Sequence, residues 1–235
     1  MSQVESQLDA SGTVSSQAAE WFFTLPGMPA LRAKVGRREL RRRLLHMVPG
    51  VIPIGLPFTP HSDVWEPLLM TAAIVFCASG LIAAIVMAPQ VKRRGEQNWT
   101  QAVWGYILPP FAALLLFPAR AELVLLTLQI IAFGDGSATL GGKFFGGSRL
   151  PWNTQKTWSG LLCFVLMGSL AATYSYWGEA RPSPPIGQAY LICLIAALCA
   201  ALVESLPSRM NDNFRVGMTA LTVGFALSSL MQATA

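Results

Sequence analysis

Apolar residues gather into seven runs separated by short polar segments: Leu44–Phe58, Pro67–Met87, Ala102–Phe117, Leu123–Gly134, Gly160–Trp177, Ile186–Leu206 and Val216–Met231. A hydrocarbon core roughly 30 Å thick takes about 20 helical residues to cross, so these runs predict an all-α, polytopic integral membrane bundle of about seven transmembrane helices. Three runs are irregular. The first carries Pro49, Pro53 and Pro57 with Gly50 and Gly55 and should be kinked or broken; Pro109 and Pro110 interrupt the third. The fourth is short and leads straight into a glycine-rich stretch. Non-helical backbone at membrane depth is tolerated where protein buries it or a wet cavity borders it, so such breaks hint at a site.

The polar segments between the runs set the orientation. Fifteen of the seventeen Lys and Arg residues fall on one side of the seven-span arrangement, and only Arg120 and Arg181 on the other. The positive-inside rule then predicts a cytoplasmic N-terminus and an external C-terminus. Residues 1–30 form a separate segment in this reading. Met1–Gln17 is polar and Ser/Gln-rich, with a disordered composition, while Glu20–Arg43 mixes Trp21, Phe22 and Phe23 with basic residues, as suits the membrane interface. Residues 31–235 form one transmembrane domain.

Composition agrees with the pattern. Of 235 residues, 53% are hydrophobic and 12% charged, with mean hydropathy +0.47; a soluble domain carries about 25% charged residues. The net charge of +5 does not point to nucleic acid, because the basic residues sit in short clusters between apolar runs and no nucleic-acid-binding motif accompanies them. Cys77, Cys163, Cys193 and Cys199 all lie inside apolar runs without a Cys-x-x-Cys pair, so they read as small buried hydrophobes.

Three polar constellations converge on the predicted cytoplasmic face. Asp135 closes the fourth run and opens Gly134–Gly147, which holds Gly134, Gly136, Gly141, Gly142, Gly146 and Gly147 with Lys143. An ionisable side chain at that depth is costly and marks a functional site by default. Glycines permit close ligand approach and expose amides suited to phosphate oxygens, and Lys143 and Lys156 add compact positive charge. This is no Walker A loop: Gly136 to Lys143 is one residue too long, and Phe144 follows the lysine. Nor does Gly134-x-Gly136 reach the third glycine of a dinucleotide fingerprint. Arg42, Arg43 and His46 stand at the start of the first run; Glu204 and Asn211-Asp212-Asn213 stand at the end of the sixth.

Those motifs resemble the core of the dolichol, phytol and CTP-dependent diacylglycerol kinases. Gly134-Asp135, Ala138, Gly142-Lys143 and Gly146, then Lys156-Thr157 and Gly160, match its central pattern. Arg42-Arg43 with His46 matches its first motif, and Glu204-Ser205-Leu206-Pro207 with Asn211-Asp212-Asn213 its last. Asn211 departs from the aspartate more usual there. The short chain is most similar to phytol kinase.

The resemblance implies transfer of the γ-phosphoryl group of a nucleoside triphosphate, typically CTP, to the hydroxyl of a lipid alcohol with Mg²⁺, at the cytoplasmic face of the inner membrane. Phytol, farnesol, polyprenol and diacylglycerol are the acceptors it leaves open. Phosphoryl transfer is mainly positioning and charge neutralisation, which suits this set of residues. Asp135 holds the metal or accepts the alcohol proton, with Glu204 and Asp212 as further acids and Asp212 as a second metal ligand. Gly134, Gly142, Lys143, Gly146, Gly147, Lys156, Thr157 and Gly160 bind phosphates. Arg42 and Arg43 neutralise charge, and His46, Asn211 and Asn213 support them. The competing readings are a CDP-lipid-forming cytidylyltransferase, whose longer acidic signature is missing, and a transporter, whose repeated halves are missing.

Overall fold

The structure, a computed structural model, describes residues 28–58, isolated positions between Thr71 and Val86, and residues 99–233. The second predicted span, Pro67–Met87, and the basic cluster Lys92–Arg94 therefore lie largely or wholly outside the described residues, as does most of the 1–30 segment.

Two short helices open the described chain, α1 (Met28–Val35) and α2 (Arg37–Val51). Gly36 separates them at φ 86°, a conformation that only glycine adopts without strain. At Ile52 the helix tightens into a 3₁₀ segment, Ile52–Phe58, where Pro53 and Pro57 bring no amide hydrogen. The expected break in the first run is present. The third run behaves differently: α3 (Trp99–Leu116) continues through Pro109 and Pro110, both buried, with Pro109 packed closely against Gly217.

The centre of the bundle is one 25-residue rod, Ala121–Phe145. It comprises α4 (Ala121–Gln129), a π-helical segment (Ile130–Asp135) and α5 (Gly136–Phe145). All nine residues of α4 are buried, Glu122, Thr127 and Gln129 among them. The remaining long helices are α6 (Trp158–Glu179), α7 (Ile186–Ser205) and α8 (Asp212–Ala233). Helices α3, α6 and α8 pack on the rod, and α7 lies against both α6 and α8. Small side chains dominate these contacts, with Ala172, Ala196, Ala197 and Ala200 sealed from solvent; such residues let membrane helices approach closely.

Four helices are long and apolar enough to cross a membrane: Ala121–Phe145, Trp158–Glu179, Ile186–Ser205 and Asp212–Ala233; Gln101–Leu116 is a shorter apolar helix. The chain is accordingly a mostly helical integral membrane protein. Between α5 and α6 stands an element that an all-α reading did not anticipate, an antiparallel hairpin of β1 (Arg149–Leu150) and β2 (Asn153–Thr157), with Arg149 opposite Thr157 and Leu150 opposite Asn153. This hairpin marks one end of the bundle, the hairpin end.

The glycine-rich stretch needs correction. Gly134 through Phe145 is helix, not loop, so its interior amides are engaged along the helix. Several of its glycines serve packing instead. A Cβ on Gly160 would stand 2.8 Å from the Ala138 carbonyl oxygen, and one on Gly142 2.8 Å from Thr157 Oγ1. Helices α5 and α6 thus touch backbone to backbone. Gly160→Ala should cost about 1–3 kcal/mol through overpacking, read as a lower thermal unfolding midpoint in detergent. Gly187→Ala, where nothing lies within 4 Å, should leave that midpoint unchanged.

Candidate functional site

The site is built around Asp135, the last residue of the π-helical segment and buried. It lies ten residues, about 15 Å, inside the end of the rod at Phe145. A π-turn adds a residue to a helical turn, and such bulges occur frequently at functional sites. Arg43 Nη1 donates to Asp135 Oδ2 at 2.5 Å, and His46 Nε2 stands 3.3 Å from the same oxygen. Asp135 Oδ1 is left without a protein partner among the described residues.

Helix α2 brings those two partners because its spacing puts them on one face. Arg43 and His46 are three residues apart. Glu39 accepts from Arg42 Nη2 at 2.8 Å and from Arg43 Nε at 3.3 Å, one turn below both. Burial works against the Arg43 charge, but the carboxylates of Asp135 and Glu39 more than offset it and hold the guanidinium pKa above its ordinary value. His46 is fixed from two further directions: its Nε2 lies 3.1 Å from the Ile131 carbonyl, and Tyr106 of α3 meets its ring edge-on at 4.8 Å while donating to its backbone carbonyl at 3.0 Å.

A second charged group closes over the first from the hairpin end. Lys156 on β2 forms a close ion pair with Glu204, the penultimate residue of α7, and lies 4.0 Å from Asp212 at the start of α8. Arg215 pairs with Asp212 at 3.5 Å and also donates to the Val203 and Leu206 carbonyls that end α7. Lys156, Glu204 and Asp212 all interact electrostatically with Asp135. The structure therefore gathers Arg43, His46, Asp135, Lys156, Glu204 and Asp212, supplied by α2, the rod, β2, α7 and α8.

The other expected residues are distributed less uniformly. Arg42 reaches Glu39, not Asp135. Thr157 is the N-cap of α6, its Oγ1 accepting the Gly160 amide at 3.1 Å, so neither that oxygen nor that amide stands idle for a phosphate. Gly134 abuts the Phe164 ring, and a Cβ there would fall 2.7 Å from it. Gly134, Gly142 and Gly160 lie within helices and in close contact with a neighbouring helix. Gly146 and Gly147 differ: they have φ of 67° and 100° with open space where a Cβ would point. Lys143 is exposed beside them. Asn211 caps α8 by accepting the Phe214 amide at 3.2 Å, and Asn213 donates to the Ala102 carbonyl of α3 at 3.2 Å. Both asparagines hold the scaffold.

Glu39, Tyr106 and Arg215 belong to the site's framework and were not singled out from sequence. The signal for Glu39 was present, a lone acid three and four residues before Arg42 and Arg43. Tyr106 had none, since nothing in its run distinguishes it.

No protein-family model matches the chain, and no solved structure matches it. Curated plant proteins do. The chain is similar to "Phytol kinase 1, chloroplastic" of Arabidopsis thaliana, 21% identical over 230 residues that cover 92% of this chain and 76% of the relative. It is 29% identical over 197 residues to "Probable phytol kinase 2, chloroplastic" of Glycine max, covering 82% and 66%. Against "Farnesol kinase, chloroplastic" of Arabidopsis thaliana it is 30% identical over 129 residues, covering 52% of this chain and 41% of the relative. The chain is thus similar to plant phytol kinases over most of its length and to a farnesol kinase over about half of it.

Proposed function

We propose that the protein is a lipid-alcohol kinase that transfers the γ-phosphoryl group of CTP, or of another nucleoside triphosphate, to the hydroxyl of an isoprenoid alcohol. The observation that carries this reading is the buried Asp135 carboxylate. One of its oxygens is held by Arg43, with His46 Nε2 3.3 Å away, while the other has no partner among the described residues; Lys156 interacts electrostatically with the carboxylate. The relatives' names support the acceptor class.

The chemistry follows from that arrangement. The alcohol stands with its chain among the apolar helices and its hydroxyl at Asp135, whose Oδ1 takes the hydroxyl proton. The alcohol oxygen bonds to the γ-phosphorus as the bond from that phosphorus to the β–γ bridging oxygen breaks, and the nucleoside diphosphate leaves. Arg43 and Lys156 neutralise charge on the transferred group. Gly146, Gly147 and Lys143 at the rod's end offer the remaining phosphate contacts. Oxygen donors suit Mg²⁺, which is held by one or two carboxylates while substrate phosphates complete its shell. Asp212, half exposed and only loosely paired, fits that demand while Asp135 serves as the base, although no three His, Cys, Asp or Glu residues form a chelating group among the described residues. When bound, Mg²⁺ supplies charge neutralisation to the phosphates.

The reaction takes place at the face that bears the basic segments. With seven spans and the basic segments inside, this face is cytoplasmic, and CTP reaches it directly.

Purified protein in nanodiscs, given γ-labelled CTP, UTP or ATP with Mg²⁺ and phytol, farnesol, polyprenol or diacylglycerol, should label an isoprenoid alcohol. Asp135→Asn should lower that transfer at least about a hundredfold, the scale of lost general-base catalysis, with membrane insertion unchanged. Release of pyrophosphate with formation of a CDP-lipid would instead establish a cytidylyltransferase. Arg43→Ala and Arg42→Ala separate the two arginines. Arg43→Ala breaks a buried pair and should cost about 3–5 kcal/mol in stability together with activity. Arg42→Ala loses only its pair with Glu39 and should cost about 1 kcal/mol or less. Thermal unfolding and turnover of both variants check this.

A further inference from the structure

The exposed indole of Trp152, at the turn of the hairpin, has no part in the site described above. The residue is 40% exposed yet firmly held. Trp152 Nε1 donates to Ser205 Oγ at 3.0 Å, and Trp158 meets the ring edge-on at 5.6 Å between centroids. The neighbouring Asn153 grips the same residue, its Nδ2 donating to the Ser205 carbonyl at 2.9 Å. Ser205 directly follows Glu204, the partner of Lys156. The hairpin therefore lies along the end of α7, with Trp152 and Lys156 both reaching toward that helix end from positions four residues apart.

Chain length bounds the distance between them. Trp152 stands in the turn immediately before β2, and four residues of extended chain at about 3.3 Å each separate the two backbones by at most about 13 Å. That is the scale of a nucleoside triphosphate measured from its terminal phosphate to its base. One end of this ruler is the ammonium of Lys156, beside the acids of the site; the other is a flat aromatic surface. A tryptophan that merely anchors a protein at the membrane interface offers its N–H to headgroups and water. Here the N–H is already bonded inside the protein, and what remains available is ring surface.

Resting on the kinase reading, we infer that the hairpin is the docking strand of the nucleotide, with Trp152 as the stacking platform for its base and Lys156 as the contact for its phosphates. Stacking accepts any base because every base has a π-face. The platform therefore contributes nucleotide affinity without choosing cytosine over uracil or adenine.

The test uses the full chain in nanodiscs and compares wild type with Trp152→Ala, Trp152→Phe and Ser205→Ala. Turnover gives KM for the nucleotide, KM for the alcohol and kcat, and titration calorimetry gives the affinity for CDP, UDP and ADP without turnover. Trp152→Ala should weaken nucleotide KM and all three diphosphates by about tenfold, consistent with a lost base–aromatic stack. It should leave the KM for the alcohol unchanged. Trp152→Phe, which keeps an aromatic face, should retain most of the affinity, and Ser205→Ala should fall between it and wild type. Unchanged nucleotide affinity in Trp152→Ala overturns the inference, as does a change confined to the alcohol KM, which would mark a lipid anchor. A fall in kcat alone overturns it too, because the hairpin would then serve only to place Lys156. Wild-type protein that binds CDP through Trp152 yet phosphorylates no alcohol would sink the kinase reading and leave the nucleotide strand standing.

Discussion

The placement of α2 against the rod hangs on the ion pair between Arg43 and Asp135. Taking two charges out of water costs several kcal/mol each, and mutual attraction repays that only when the remaining polar atoms are also partnered. Here the repayment is spread over a chain of contacts. Glu39 shares Arg43, His46 shares Asp135, and Ile131 and Tyr106 hold His46. Because Arg43 comes from α2 and Asp135 from the rod, the pair also ties α2 to the rod and, through Tyr106, to α3. A segment that begins among basic surface residues is thereby fixed against the most buried helix of the bundle.

The second charged group completes the arrangement from the opposite direction. Lys156 arrives on a strand, Glu204 on a helix C-terminus and Asp212 on a helix N-terminus. The close approach of α5 to α6 through Gly142 and Gly160 is what brings the hairpin near enough to reach α7. Rigidity and chemistry are thus divided between residue types. Glycines and alanines set the helix spacing, and the charged residues exploit the narrow gap that results. The asparagines at 211 and 213 belong to the first class although their neighbour, Asp212, belongs to the second.

Much of this was legible in the sequence. The apolar runs mark where the long helices lie, because a bilayer demands length and apolarity and little else. The charged residues that converge were identifiable because each interrupts or borders an apolar run, where a charge needs a reason. What the sequence concealed has a common cause. Whether Gly134–Gly147 is loop or helix depends on whether another backbone packs on it, and glycine is compatible with both. The partner that decided the matter, Gly160 on α6, is a tertiary fact. The π-turn is similarly silent, since Ile130–Asp135 reads as ordinary apolar helix. The hairpin escaped notice because β2, Asn-Thr-Gln-Lys-Thr, has no alternation of apolar residues, and its pairing is completed by contacts with Ser205.

The π-helical segment has one consequence for how this chain can change over evolutionary time. Each residue of an α-helix advances the side chain by about 100°. Loss or gain of a single codon between Ile130 and Gly134 would swing Asp135 away from Arg43 by roughly that angle, while altering hydropathy hardly at all. Insertions and deletions should be scarce in this hexapeptide even where amino-acid replacements are common, and a lineage that lost the extra residue would keep a membrane helix but forfeit the carboxylate's aim.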